Sequence, residues 1–376
     1  MQPVVTTFGK WALRMGVAAA LLAGASILPA NHAAAAFAYS VRTHQNLVYG
    51  QSAHGSALTA NVESPVGDAK QAPVVIVVHG GGWNSGDKKD EVPYAEAMTS
   101  EGFVTVNVNY TLSSAEAPGY PDQIQEIQQA ITWTIAHARQ YGGDPNQIVL
   151  VGFSAGAYLS AMAALRDSNL PGHPIKAVVT LSAPFDFPVV QAMLRQRVAM
   201  CGYSPSCPQD KQDPPQDTLA AFATMYDFLG CPTGNCSSQL LRAASPVTHV
   251  TTSAPPFLIF NSSDELIPSS QATDMADALK AAGVPEQVVI VPGSQHGEAY
   301  LPEVDGTILN YLDQRVGLPP SSLPASGTQP GSSGAMTALI ICCAVLIAAS
   351  LSVVLLAVRR RTARHSNGDT APMAGR

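Results

Sequence analysis

The chain has 376 residues, 46% of them hydrophobic and 12% charged, with a formal net charge of −7. That length and apolar content suffice for one large domain with a substantial core, plus appendages. Outside the C-terminal tail there is no run or stripe of Lys and Arg, which excludes the electrostatic footprint of a nucleic-acid binder.

The first element is a short apolar stretch, Val17 to Leu28, preceded by Lys10 and Arg14 and followed by Ala33-Ala34-Ala35-Ala36. A basic start, a short apolar run and an Ala-x-Ala-like site describe a secretory signal over residues 1–36, with an uncleaved N-terminal anchor as the other reading. A folded domain is expected from 37 to 316. It begins with a lead-in hairpin between Tyr39 and Glu63, closed by the turn Ser64-Pro65-Val66-Gly67-Asp68.

Pro73-Val74-Val75-Ile76-Val77-Val78 is a β-branched run without alternation, as expected of a strand buried on both faces of a parallel sheet. It ends in His79-Gly80-Gly81-Gly82-Trp83, where consecutive glycines can offer backbone N–H groups to a ligand without side-chain obstruction, as an oxyanion hole requires. The rival reading, a phosphate loop, lacks the required Gly-Lys-Ser/Thr ending. His79 reads as a residue that positions this loop. A helix is expected over Pro93 to Glu101, a strand over Phe103 to Tyr110, and a helix from Asp122 whose Ile124, Ile127, Ile131 and Ile135 form one apolar stripe.

Ile148-Val149-Leu150-Val151 then runs into Gly152-Phe153-Ser154-Ala155-Gly156 and a helix-forming segment. Strand, Gly-x-Ser-x-Gly and helix is the arrangement that lifts a serine onto a tight turn with its hydroxyl exposed, with glycines on either side because a side chain there would meet the neighbouring backbone. After the strand Ala177 to Ser182, residues 187–245 lose strand character and hold Cys201, Cys207, Cys231 and Cys236. This is read as an insertion capping the serine. Four cysteines allow three pairings; Cys201 with Cys207 and Cys231 with Cys236 is preferred, since each would staple a Pro-containing loop. A zinc site is the alternative, but the segment holds no histidine.

The sheet resumes with Pro256 to Phe260, followed by Asp264-Glu265-Leu266-Ile267-Pro268, a helix from Ser269 to Ala282, and the strand Gln287 to Val291 ending in His296-Gly297. Strands alternating with helices indicate an α/β domain with a mostly parallel sheet and catalytic residues at the carboxyl ends of its strands. In the order serine, acid, histidine, the base must follow the acid, and past Asp264 only His296 lies outside the tail. Asp264 is the expected acid and Asp186 the runner-up.

At these residues the sequence resembles the esterase/lipase side of the α/β-hydrolase superfamily, particularly secreted carboxylesterases and feruloyl-esterase-like enzymes related to hormone-sensitive lipase and kynurenine formamidase. The likeness runs from about Val74 to Leu312 through His79-Gly80-Gly81-Gly82-Trp83, Gly152-Phe153-Ser154-Ala155-Gly156, Ala244-Ser245-Pro246-Val247-Thr248-His249-Val250, Asp264 to Pro268 and His296-Gly297. It implies the α/β-hydrolase fold, with a mostly parallel central sheet and helices on both faces, from which the Cys-containing cap insertion at 187–245 is a departure. It also implies Ser154 as nucleophile, His296 as base, Asp264 as orienting acid, the amides of Gly81, Gly82 and Ala155 at the oxyanion, and no metal or organic cofactor. Asn261-Ser262-Ser263 and Ser294-Gln295 depart from the family's usual residues before the acid and the histidine. The substrate expected is a small-molecule or polysaccharide-linked ester, with amide or peptide hydrolysis and a non-catalytic binding module as the competing readings.

Residues 317–334 form a Pro/Ser/Gly-rich linker. Residues 335–358 are long and apolar enough for a transmembrane helix, and the basic tail 359–376, opening with Arg359-Arg360-Arg361, places that end in the cytoplasm and the domain outside. Leu323-Pro324-Ala325-Ser326-Gly327 before the span resembles a sortase sorting signal, so cell-wall attachment is the alternative to a membrane tether.

Overall fold

The computed structural model describes residues 39–67, 71–201, 218–231 and 234–317. Eight strands form one sheet: β1 Ser40–Gln51, β2 Ala57–Val66, β3 Ala72–Val78, β4 Val104–Val108, β5 Gly143–Phe153, β6 Ile175–Leu181, β7 Phe257–Ser262 and β8 Glu286–Val291. Their spatial order is β1-β2-β4-β3-β5-β6-β7-β8. β1 pairs antiparallel with β2 and β2 antiparallel with β4, while every later pairing is parallel. This is the mostly parallel α/β-hydrolase sheet that the resemblance implies.

The β-branched runs lie where two-sided burial demands them. All seven residues of β3 are buried. Val74, Ile76 and Val78 face one layer, built from helix α2 (Asp122–His137) and helix α3 (Ala155–Arg166). Val75 and Val77 face the other, built from α1 (Val92–Ser100) and the C-terminal helix Leu301–Val316. Full burial of such a side chain contributes about 1.5–3 kcal/mol, so this alternation fixes the register of the central strands. In α2, Ile124, Ile127 and Ile131 are fully buried, as the stripe predicts. Off the stripe, Trp133 stacks on His137 with ring centroids 4.5 Å apart.

One boundary differs from expectation. Ser64 and Pro65 belong to β2 rather than to a turn, with Val41 opposite Pro65. A proline has no N–H for a ladder, but β4 pairs with β2 only over Ala60 to Glu63, so none is needed on that side.

The segment 187–245 contains helices α4 (Phe187–Cys201), α5 (Thr218–Leu229) and α6 (Ser238–Ala244). Cys231 and Cys236 are joined by a disulfide just after α5. The expected Cys201–Cys207 bridge lies outside the described residues. Helix α7 (Ser269–Ala281) connects β7 to β8, and α8 is the C-terminal helix Leu301–Val316. The expected signal segment, the linker after Gly317, the transmembrane stretch and the basic tail also lie outside the described residues. Among the described residues no helix is long and apolar enough to cross a membrane.

β3 lies between β4 and β5, so the chain reverses its direction of progress across the sheet there. A crevice opens at the carboxyl ends of strands at such a switch point. The loops after β3 and β5, which carry Gly80 to Gly82 and Ser154, border it.

Candidate active site

Ser154 occupies the single residue between β5 and α3, with φ 50° and ψ −115°. A non-glycine residue in this region stores on the order of 1–3 kcal/mol and persists only where its surroundings enforce it. The Ser154 N–H donates to the Leu181 carbonyl at 2.8 Å, and its own carbonyl accepts from the Tyr158 N–H at 3.1 Å. The flanking glycines are a steric requirement. A Cβ on Gly152 would stand 2.4 Å from the Gly156 oxygen, and one on Gly156 would stand 2.2 Å from the Val78 oxygen.

The Ser154 hydroxyl lies 2.8 Å from Nε2 of His296. The other ring nitrogen, Nδ1, bonds to Oε2 of Glu265. That bond assigns the Nδ1–H tautomer and leaves Nε2 as an acceptor facing the serine. Asp264, the acid expected from the sequence, is not brought to the histidine. Its side chain is exposed and accepts from Ser263 Oγ at 2.8 Å, and its N–H is tied to the Gly293 carbonyl at 2.9 Å. Neighbouring residues of this turn send their side chains to opposite sides, outward at 264 and inward at 265. Asp186, the runner-up, sits at the start of α4, where its Oδ1 accepts from the Val189 N–H at 3.4 Å.

The Glu265 side chain is fully buried. Its Oε1 accepts from the Ser262 N–H at 2.6 Å and from Ser182 Oγ at 2.8 Å. Since the one Ser182 proton is spent on Glu265, the Tyr300 hydroxyl donates to Ser182, at 2.8 Å, and so does the Gly297 N–H, at 2.9 Å. Burial pushes the Tyr300 phenol well up, so it remains a donor. Ser262 Oγ donates to the Gln295 carbonyl at 2.6 Å, which joins the acid-bearing turn to the histidine loop. Ser182 and Tyr300 carry no motif that would have marked them in the sequence; a polar residue at the end of β6 is the only signal.

The glycine loop has its carbonyls turned inward. The Gly80 oxygen accepts from His79 Nδ1 at 2.7 Å and from the Tyr110 hydroxyl at 3.3 Å. The Gly81 oxygen accepts from Ser85 N–H at 3.0 Å and Ser85 Oγ at 2.7 Å. In a trans peptide the N–H points opposite to the C=O, so the amides of Gly81 and Gly82 point away from these partners. The same reasoning turns the Ala155 amide out of the N-terminal end of α3, where the helix dipole adds positive character. Gly81 and Gly82 need their φ values of 107° and 57°, which a side chain would resist. His79 is buried, stacks on Tyr110 at 4.3 Å, and has its pKa lowered by burial, so it supports the loop as a neutral ring.

Ser154, His296, Gly81 and Gly82 all line one cavity of about 420 Å³. Its lining combines the apolar Met225 of α5, Pro184, Leu266 and Ile267 with the carboxyl-bearing Asp90, Glu91 and Glu298. Trp83, the residue after the glycines, stacks on Phe228 of α5 at 4.8 Å, so part of the 187–245 segment packs directly on the loop. Among the described residues no group of three His, Cys, Asp or Glu side chains is set to hold a metal ion.

Residues 60–279 match the BD-FAE family model. The chain is similar to a probable carboxylic ester hydrolase, LipM, of Mycobacterium tuberculosis, 30% identical over 60% of this chain and 49% of that protein. It is also similar to the esterase LipQ of the same organism, 28% identical over 65% of this chain and 54% of that one. The chain thus spans about half the length of these curated relatives. A fungal esterase structure from Rhizomucor miehei superimposes with a TM-score of 0.59 at 24% identity, covering 74% of this chain and 85% of the other, which is a likeness of fold.

Proposed function

The chain belongs to the BD-FAE family of the α/β-hydrolase superfamily, and on that premise we propose that it is a serine carboxylic-ester hydrolase working through Ser154, His296 and Glu265. The observation that carries the proposal is the hydrogen-bonded line from Ser154 Oγ through both nitrogens of His296 to a buried carboxylate, at a strained elbow facing a cavity.

In this reading Nε2 of His296 takes the serine proton as Oγ attacks the ester carbonyl, and Glu265 holds the imidazole and balances its charge. The amides of Gly81, Gly82 and Ala155 receive the negative charge on the carbonyl oxygen, each such donor contributing roughly 3–4 kcal/mol. The tetrahedral intermediate collapses, the alcohol leaves with the proton from His296, and water then releases the acyl group by the same steps. The wall of Met225, Pro184, Leu266 and Ile267 suits the apolar part of the ester. Residues 187–245 act as a cap through α5.

The proposal extends to location. Residues 1–36 direct export and 335–358 tether the enzyme to the outer face of the membrane, with sorting at Leu323 to Gly327 as the alternative end point. The Cys231–Cys236 disulfide supports an oxidising compartment.

A fluorescent fluorophosphonate applied to the folded chain tests the chemistry. Labelling that disappears in Ser154→Ala and His296→Ala supports it; a folded parent that never labels rejects it. Mass spectrometry of the mature chain, ending at Arg376 or at Ser326, decides between tether and sorting.

A further inference from the structure

The residues lining the reaction cavity divide by exposure. Asp90 and Glu298 are exposed, whereas Pro184, Met225 and Ile267 are buried and Leu266 is half-buried. Glu91 is buried too, and burial pushes its carboxyl up to about 8, so near neutral pH it is mostly uncharged. The entrance therefore carries the carboxylates and the interior is apolar. At about 420 Å³ the cavity stands at the small end of ligand pockets. Among the described residues, Met225 is the one that the 187–245 segment contributes to it, and it is 1% exposed.

Helix α5 is held on both sides of Met225. Thr224, just before it, lies against the glycine loop: a Cβ on Gly82 would stand 2.9 Å from Thr224 Oγ1. Phe228, one turn after it, stacks on Trp83 at 4.8 Å and meets Tyr158 of α3 edge-on at 5.5 Å. The Phe228 carbonyl accepts from the N–H groups of Gly119 and Tyr120 at 3.1 and 2.9 Å, and the Cys231–Cys236 disulfide follows. Phe187 closes the cluster, stacked on Tyr158 at 5.1 Å. All four rings are buried, so a ligand cannot push α5 aside without breaking close packing. The room at this end of the cavity is set by the side chain at 225.

An acyl group stays bonded to the serine after the alcohol has gone, and the alcohol must reach solvent. The exposed, carboxylate-bearing end suits the departing alcohol, and the buried apolar end suits the acyl chain. Each methylene taken out of water there raises kcat/KM about fourfold, until the chain meets a wall. No Lys or Arg lines the cavity among the described residues, so an anionic acyl chain would be buried without a partner. We propose that Met225 sets the acyl-chain length the enzyme accepts and that its substrates carry short, uncharged acyl groups. This rests on the serine-hydrolase reading above.

The test is kcat/KM on the full chain in detergent for two ester series, with fluorophosphonate labelling run in parallel. One series is nitrophenyl esters with acyl chains from acetyl to decanoyl; the other is acetates of alcohols from ethanol to octanol. The parent should favour acetyl to butanoyl chains and lose about tenfold or more by octanoyl. A nitrophenyl succinyl ester should react about tenfold or more slowly than the butanoyl ester of equal length. Met225→Ala opens the interior and should raise the octanoyl-to-acetyl ratio by about tenfold. Met225→Phe should lower the butanoyl-to-acetyl ratio, and Met225→Leu should keep the parent's profile. None of the three should reorder the alcohol series. Thermal melting checks that each variant is folded, and Met225→Val reads the same direction should the alanine variant unfold. An acyl profile unchanged in folded Met225→Ala and Met225→Phe, or a shift that falls in the alcohol series instead, overturns the role of Met225 alone. A succinyl ester as fast as the butanoyl ester overturns the preference for uncharged chains. A folded parent with no labelling overturns both together with the hydrolase reading.

Discussion

Ser182 Oγ donates to Glu265 Oε1 at 2.8 Å across 83 residues of sequence. Ser182 also accepts from the Gly297 N–H, next to His296, so one side chain at the end of β6 steadies both Glu265 and the loop of His296. Ser182→Ala removes a donor from a buried carboxylate and strands a buried N–H, each at a cost of roughly 1–3 kcal/mol. The expected result is a fall in kcat of about tenfold or more with little change in KM, since in the proposed mechanism the loss falls on the line of proton transfer rather than on substrate contacts. Tyr300→Phe, one bond further out, should have a smaller effect. Steady-state kinetics on one ester checks both.

The assignment of the acid is open to direct comparison. Glu265→Ala leaves His296 without its Nδ1 partner and should reduce kcat by about 10³- to 10⁴-fold, the scale seen when a triad histidine loses its orienting carboxylate. Asp264→Ala alters an exposed side chain bonded only to its neighbour Ser263 and should stay within about twofold of the parent. Equal losses in the two variants would reject Glu265 as the acid.

Much of this was legible in the chain itself. The run from Val74 to Val78 is buried on both faces as its lack of alternation predicts, and the Gly-x-Ser-x-Gly turn forms with both glycines sterically required. Chain order and strand ends singled out Ser154 and His296, and the fold brings their side chains to 2.8 Å. Neither signal could separate Asp264 from Glu265, since two adjacent carboxylates in a turn are equivalent to any strand or helix period. What separates them is long-range: the Gly293 carbonyl holds Asp264 outward, while Ser182, on a different strand, receives Glu265. Glu91 was missed for a similar reason. In the sequence it is one acid among Asp87, Asp90 and Glu91, and only the fold buries it at the edge of the reaction cavity.

Two glycines should respond to alanine in opposite ways. Gly156→Ala places a Cβ 2.2 Å from the Val78 oxygen and 2.3 Å from the His79 oxygen, both fixed backbone at the end of β3. Neither can move without opening the sheet, so a loss of more than about 4 kcal/mol, or failure to fold, is expected. Gly306 lies in α8 with nothing within 4 Å of an added Cβ. There alanine should stabilise by about 0.5–1 kcal/mol by removing the glycine's helix penalty. Thermal unfolding of the two variants beside the parent reads both effects.

Glu91 also has a consequence for stability. In the folded chain its carboxyl titrates at about 8, against 4.5 for an unhindered glutamate. Below pH 4.5 it is protonated in both states and costs nothing. Between 4.5 and 8 the folded state holds a proton that the unfolded chain releases, so unfolding free energy falls as pH rises; above 8 the deficit is constant. The full effect is on the order of a few kcal/mol. Glu91→Gln should therefore be more stable than the parent at pH 8 and closer to it at pH 4.5. Urea unfolding at these two pH values measures the difference, and a gap that does not widen with pH would place the carboxyl in water rather than in the wall of the cavity.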